Sequence, residues 1–506
     1  MCSPGSNCRF LPSLLPACCA WLALAIGAWG LPCSLAQQPA SAPVNCTPEF
    51  DRVERLETSL QSLIEENRRL AAEMDSLRQA LLSDSVQNES SIADGDDTNR
   101  LPPKSESNDT GNYFVNYDNG FLLSSREQSD SLFSLKVNHQ NTIRYSGFSR
   151  DESFWIDSTG SVNSISNRSD FLIPRGRLIL SGKALLPKLN YLLNIDYNTV
   201  GRNSIGFRAF SLTYKFNRAF EFSVGQNKVP GSREWLLSSW VAQAGPDRSM
   251  ATTFFRPSLS QGMWLQGEPL ERLYYHSMVS NGFNTLNQTP NQFNQRICLS
   301  NSVWWEPWGE FGAGYSDLEQ HQDWVVRAGT SITTAFSQSN QADGDSIENS
   351  LVRLSDGTLL NRPGALVPGV TVQRYDLSLV ALDLAFKCQG LSLSTEIYLQ
   401  ELSSLEGNGP LPFDSTLANG GFLQGGYFVL PQVLELYSRT SWVTGDFGSG
   451  AEIAGGLNWF ILKGKSNLRF TFDVADLESC PADQNRTGFV AGQSGILIRT
   501  QVNSSF

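Results

Sequence analysis

The chain has 506 residues, 17% of them charged and 11% aromatic, with 42 glycines, 3 histidines and a net charge of −12. That length exceeds one ordinary soluble domain, and a mean hydropathy of −0.23 excludes a bundle of apolar membrane helices. The wealth of Gly, Asn, Ser and aromatic residues favours many strands and turns, and the absence of a basic tract excludes nucleic acid as a partner.

The first residues read as an export signal. Arg9 precedes an apolar run from Phe10 to Trp29, and Ser34-Leu35-Ala36 supplies a small-x-small cleavage site. Residues 1–36 are therefore expected to be a signal peptide cut after Ala36. Pro12, Pro16 and the small-residue exit argue against a retained anchor. Of the cysteines, Cys46, Cys298, Cys388 and Cys480 fall in the mature chain, without any C-x-x-C spacing. Neither a disulfide framework nor a zinc site is predicted. His139, His276 and His321 stand apart from one another, so no metal and no cofactor are expected.

A short lead, residues 37–48, comes before a heptad series over 49–83. Val53, Leu56, Leu60, Leu63, Asn67, Leu70, Met74, Leu77 and Leu81 step by three and four, flanked by charge and uninterrupted by Pro or Gly. Sustained a/d spacing predicts a coiled coil, a rod of about 45 Å at the helical rise. Asn67 at an a position fixes register at a cost in stability. Residues 84–112 are polar, acidic and contain Pro102-Pro103, which predicts a disordered linker. Charge is uneven: residues 37–110 carry 7 basic and 15 acidic side chains, and residues 111–506 carry 30 and 35. The body is thus nearly balanced.

From Tyr113 onward the chain becomes a succession of alternating segments, seventeen by their pattern. Tyr191, Leu193, Ile195 and Tyr197 alternate with Asn194, Asp196 and Asn198; Leu468, Phe470, Phe472 and Val474 alternate with Arg469, Thr471 and Asp473. Short turns at Pro187-Lys188, Asn217-Arg218, Glu268-Pro269, Gln389-Gly390, Pro431 and Gly464-Lys465 alternate with long loops. Outer-membrane barrels place short turns on the periplasmic side and long loops outside, and need an even strand number. Reading Gly309 to Gln322 as one longer periplasmic connection leaves sixteen strands. The last, Gly495–Phe506, puts Ile496, Ile498, Thr500 and Val502 on one face and Arg499 and Gln501 on the other. It ends on Phe506, expected to be an assembly signal at the periplasmic rim. Trp304, Trp305 and Trp308 crowd one turn, as an interfacial girdle does. The expected fold is a 16-stranded antiparallel outer-membrane β-barrel over 113–506, preceded by an α-helical coiled coil in the periplasm.

Three segments in order carry a family resemblance. Phe171-Leu-Ile-Pro-Arg-Gly-Arg-Leu-Ile-Leu-Ser-Gly-Lys183, Tyr191-Leu-Leu-Asn-Ile-Asp-Tyr197 and Val224-Gly-Gln-Asn-Lys-Val-Pro230 with Ser232-Arg-Glu234 resemble early strands of the phosphate-selective porin O/P family. The resemblance implies a trimeric sixteen-stranded porin, some members of which select phosphate with inward Arg and Lys. The chain departs from that pattern at Pro174, where a basic residue is common, and at Gly231, where an aromatic follows the proline.

The expected function is passive diffusion of small hydrophilic solutes across the outer membrane, with anions such as phosphate as candidate solutes; the alternative is a structural anchor tethering membrane to cell wall through the coiled coil. No Gly-x-Ser-x-Gly context with a partner stands out, so no enzyme is expected. Charges must take the lumen parity, because on the lipid face near the midplane each costs about 2–4 kcal/mol. The pore candidates are Lys136, Arg144, Arg175, Arg177, Arg327, Arg469 and Arg499 on strands, and Arg233, Arg248 and Arg256 in the loop 229–260. That loop also holds Trp235, Leu236, Leu237, Trp240 and Phe254-Phe255. It is too apolar to stand free in water and is the candidate constriction, folded into the barrel; the alternative is that it packs at a subunit contact, which also hides apolar surface.

Overall fold

The computed structural model describes residues 113–506, apart from 118, 126–132, 201–203, 241–242, 284–296 and 340–350. The signal peptide, lead, coiled-coil series and linker expected over residues 1–112, and Cys46 with them, lie outside the described residues.

The described chain is almost all strand. β1 (Tyr113–Tyr117) and β2 (Phe121–Ser125) form a hairpin. β3 (Ser134–Arg150) is followed by a small hairpin of β4 (Phe154–Ile156) and β5 (Val162–Ser164), then by β6 (Arg168–Lys183), β7 (Leu189–Asn198), β8 (Ser204–Lys215) and β9 (Glu221–Lys228). Two short helices, α1 (Arg233–Leu236) and α2 (Met250–Phe255), precede β10 (Leu259–Leu270), β11 (Leu273–Ser280), β12 (Ile297–Trp305) and β13 (Val325–Gln338). The chain closes with β14 (Val372–Cys388), β15 (Leu391–Gly407), β16 (Thr416–Leu430), β17 (Leu434–Gly445), β18 (Gly448–Phe460), β19 (Leu468–Glu478) and β20 (Gly495–Ser505).

β3 and β6 through β20 pair antiparallel in chain order, and β20 returns to β3 from Gly495↔Arg150 to Ser505↔Gln140. Sixteen strands thus close a barrel with no free edge within the ring. The β1–β2 hairpin, which alternation alone did not reveal, extends the sheet below the end of β20, where β2 pairs with Ser134–Val137 of β3. Residues 306–324 form the one long connection on the short-turn, periplasmic side. The opposite side carries the long loops 151–167, 229–258, 339–371 and 479–494. No described helix is long and apolar enough to cross a membrane; the crossing elements are strands.

Alternation sets the two faces. On β20, Leu497, Arg499, Gln501 and Asn503 are buried, while Ile498 and Val502 face out. The outward face is apolar all round the barrel: Ile143, Phe171, Ile205, Leu212, Ile332, Leu382, Leu399 and Ile453 are exposed. An apolar surface this continuous needs lipid around it. Two of the register irregularities bear on the interior. The β3–β6 register shifts between Thr142 and Arg144 opposite Ile173-Pro174, because a proline without an N–H cannot join the ladder and sits at a bulge. The β7–β8 register shifts at Asn194/Ile195, which turns both Arg208 and Ala209 inward. At the β14–β15 turn, Gln389 and Gly390 both take positive φ (50° and 81°), as a two-residue hairpin of matching twist requires.

A lumen filled by an inserted loop

The described residues of the segment 229–258, all but 241–242, lie inside the barrel and reach its wall on several sides. Trp235, Met250 and Phe255 have no solvent exposure, and Trp240 is buried as well. Each short helix is fixed locally by a serine cap: Ser232 Oγ accepts from Trp235 N, and Ser249 Oγ from Thr252 N. Each then points its free amides at a glutamate on the wall. Glu396 of β15 accepts from the backbone N–H of Arg233 (2.7 Å) and Glu234 (3.0 Å). Glu452 of β18 accepts from Met250 N at 2.8 Å. A carboxylate is favourable at a helix start because it meets unpaired N–H groups and the positive end of the dipole.

The wall that runs from β17 round to β6 also holds the loop with arginines. Arg175 of β6 donates to both oxygens of Asp247, at 2.6 and 2.9 Å, and Arg144 of β3 donates to the same carboxylate at 2.9 Å. Arg469 of β19 donates to the carbonyls of Gln243 and Trp240, and Arg439 of β17 to that of Asp247. Asn458, Gln501 and Asn503 donate to the carbonyls of Ala244, Pro246 and Trp240. The buried backbone of an irregular segment must find partners for its polar groups, and here the barrel wall supplies them. Burial opposes ionisation of Asp247, but the Arg175 and Arg144 guanidiniums win and hold its carboxyl well below the usual carboxylate range. Glu234 goes the other way: burial pushes it up, against Arg439 and the bonds from Ser249.

The remaining candidates distribute as follows. Arg177 pairs with Asp196 at 3.3 Å, and Asp196 also receives Arg486 from the loop 479–494 at 2.9 Å. Arg499 pairs with Asp473 at 2.5 Å. Arg248 and Arg256 lie over the Trp235 ring, at 4.6 and 5.4 Å from its centroid. Arg233 lies between the rings of Phe311 and Tyr315, 5.0 and 4.7 Å away. Arg327 contacts Asp383 (3.1 Å) and Glu306 (3.6 Å) and covers the Trp304 ring. Lys136 sits half-buried near the periplasmic end of β3, apart from the others. Phe506 pairs its backbone with His139 in both directions, at 2.7 and 3.0 Å. Among the described residues Cys298, Cys388 and Cys480 form no disulfide.

Sequence reasoning did not single out Arg208, Arg439, Arg486, Lys228 or Lys387, all buried in the interior. Arg208 was hidden by its bulge. Arg439 and Lys387 carried a usable signal, the parity of their strands. Nor did it weigh Glu234 and Asp247, the only two acids between 229 and 258, which anchor the loop.

A closed antiparallel barrel with an apolar belt, a charged interior and a long inserted loop is the architecture of an outer-membrane channel. The chain belongs to the phosphate-selective porin O and P family, which it matches over residues 151–503. No curated protein sequence matches it. Among solved structures it is similar to the anion-selective porin from Comamonas acidovorans, at 12% identity and a TM-score of 0.45 over 74% of this chain and 100% of that one. It is also similar to the outer-membrane channel DcaP of Acinetobacter baumannii (11%, 0.44, over 76% and 99%). OmpT of Vibrio cholerae in its trimer form gives 13% and 0.46, over 74% and 99%. Family and fold point to a porin of the outer membrane, a channel and not an enzyme.

Proposed function

We propose that this porin is a narrow passive channel that prefers anions, with phosphate as a candidate solute. The observation that carries the preference is the charge balance on the wall of β3, β6 and β19. Arg144 and Arg175 share the single carboxylate of Asp247, and Arg177 and Arg486 share that of Asp196. Arg469 is held by backbone carbonyls, so its charge is not cancelled by a bonded carboxylate. Arg499 with Asp473 and Arg439 with Glu452 are matched one to one. Excess positive charge in a poorly solvated interior lowers the cost of dehydrating an anion. The arc around β14 and β15 is more acidic, with Glu306, Asp383 and Glu396 against Arg233, Arg327 and Lys387.

In this reading the loop 229–258 is the constriction, and Arg233, Arg248 and Arg256 set its width by packing on aromatic rings. Lys136 lies where a solute leaves toward the periplasm. Phe506 is the assembly signal, and residues 1–36 are removed on export. The coiled coil over 49–83 lies in the periplasm and joins three copies, matching a threefold barrel assembly in the outer-membrane lipid. Single-channel recording in a salt gradient tests the preference: a reversal potential on the anion side supports it, and one on the cation side refutes it.

A further inference from the structure

We infer that residues 306–324 are a periplasmic gate, a strap that closes the lumen in series with the inserted loop. This rests on the channel reading above. The segment leaves β12 at the periplasmic rim, turns up into the barrel and returns to β13. Its tip is deeply seated: Phe311, Tyr315 and Asp317 are buried to within 2%. It spans the mouth as far as β17. Ser316 donates to Glu435 at 2.7 Å, Lys387 donates to the Phe311 carbonyl at 3.0 Å, and Tyr315 packs edge-on against Phe422. Asp317 accepts from Gly390 N at 2.7 Å, and Gln432 donates to the Leu318 carbonyl at 3.1 Å. The strap therefore rests on two neighbouring periplasmic turns. Above, Phe311 and Tyr315 clasp Arg233 of α1, so strap and inserted loop meet inside the lumen.

Three observations make it a gate and not a fixed floor. Its contacts with the wall are hydrogen bonds, two ion pairs (Glu319 with Lys387 and Glu306 with Arg327) and ring contacts, none of them part of the strand ladder. Its stems carry positive φ at Gly309 (132°), Gly312 (82°) and Gln320 (57°), and a glycine turns there without the penalty of a side chain. The closed seat also leaves polar atoms buried without a hydrogen-bond partner among the described residues: Tyr315 Oη, Glu435 Oε1, and Arg233 Nε and Nη1. Burial without a partner is costly, and water entering as the strap withdraws relieves it. The closed position is thus stable in its packing and unstable in its polar groups, the balance a two-state element needs. Asp317, Glu319 and His321 gather within 4.8 Å of one another. They serve as the strap's own clasp: His321 Nδ1 contacts Asp317 at 2.5 Å, and Glu319 pairs with Lys387 at 3.5 Å.

The test compares the full chain with a Phe311→Ala/Tyr315→Ala variant and with one in which 310–319 is replaced by a short Gly-Ser link. Heat-modifiable migration establishes that each barrel is folded. Both variants are expected to conduct several-fold more than the parent. In a background with Cys46, Cys298, Cys388 and Cys480 each changed to Ser, Ser392→Cys places a thiol near Glu435. A membrane-impermeant maleimide is expected to label it several-fold faster once Phe311 and Tyr315 are truncated. A conducting parent with unchanged conductance and labelling in the variants overturns the gate and leaves the channel intact. Silence in the parent and both variants overturns the channel reading, and the labelling rate then decides the strap by itself: faster labelling keeps it as a cover over the lumen, unchanged labelling removes it.

Discussion

Asp247, in the middle of the inserted loop, receives both terminal nitrogens of Arg175 from the barrel wall, at 2.6 and 2.9 Å, with neither side chain more than 2% exposed. This pair latches the loop to the wall of β6, and Arg144 closes on the same carboxylate. Removing one partner of a buried ion pair strands the other and costs roughly 3–5 kcal/mol. Asp247→Asn is accordingly expected to lower barrel stability by about that amount and to add open-channel noise. Urea unfolding and single-channel traces check both.

The two loop acids respond oppositely to pH. The Asp247 carboxyl lies below its ordinary value, so its contribution is full above the ordinary carboxylate range and is lost only as pH falls through the depressed folded value. The latch therefore holds from neutrality into mild acid. Glu234 is raised by burial, so its contribution is present at low pH and is lost as pH rises through the folded value. Glu234→Gln keeps an acceptor for Ser249 and removes that penalty, and it is expected to change neutral-pH stability by no more than about 1 kcal/mol. Thermal melts of the two variants between neutral and acid pH distinguish them.

Arg469 gives the cleanest probe of selectivity. Glutamine in its place keeps an N–H donor on a shorter side chain facing the Gln243 and Trp240 carbonyls and carries no charge. Arg469→Gln is expected to keep the fold and move the reversal potential toward cations. Arg175→Glu with Arg177→Glu is expected to move it further, at a cost in stability, since each new carboxylate faces Asp247 or Asp196. An unmoved potential in both removes this wall from the selectivity argument.

Phe506 joins the last strand to His139 by two backbone hydrogen bonds, and the two rings lie 5.1 Å apart. Deleting Phe506 is expected to reduce the folded barrel recovered from outer membranes, with little change in the conductance of what does assemble. A normal yield denies it the role of assembly signal.

A peptide spanning residues 49–83 is expected to sediment as a trimer. A monomeric peptide would take the coiled coil out of the account of assembly.

Much of this fold was legible because a barrel wall is written in period two: the faces of β7, β19 and β20 follow directly from alternation. Connection lengths supplied the even count by making 309–322 a single periplasmic connection. Three things stayed hidden for physical reasons. A bulge reverses parity locally, which concealed Arg208. The β1–β2 hairpin is short and lies below the ring, so it gave no membrane-length signal. The inward path of 306–324 depends on Arg233, Lys387 and Glu435, contacts between segments far apart in the chain that no local pattern encodes. For the same reason the basic candidates were visible in the sequence, while their sharing of Asp247 and Asp196 was not.

The most direct test of the central claim is single-channel recording of the purified full-length protein in a planar bilayer, under a salt gradient with and without phosphate. The account predicts stepwise conductance, a reversal potential on the anion side, and a conductance that falls as phosphate occupies the arginine wall. A folded barrel that leaves the bilayer silent, or passes cations in preference, would contradict it.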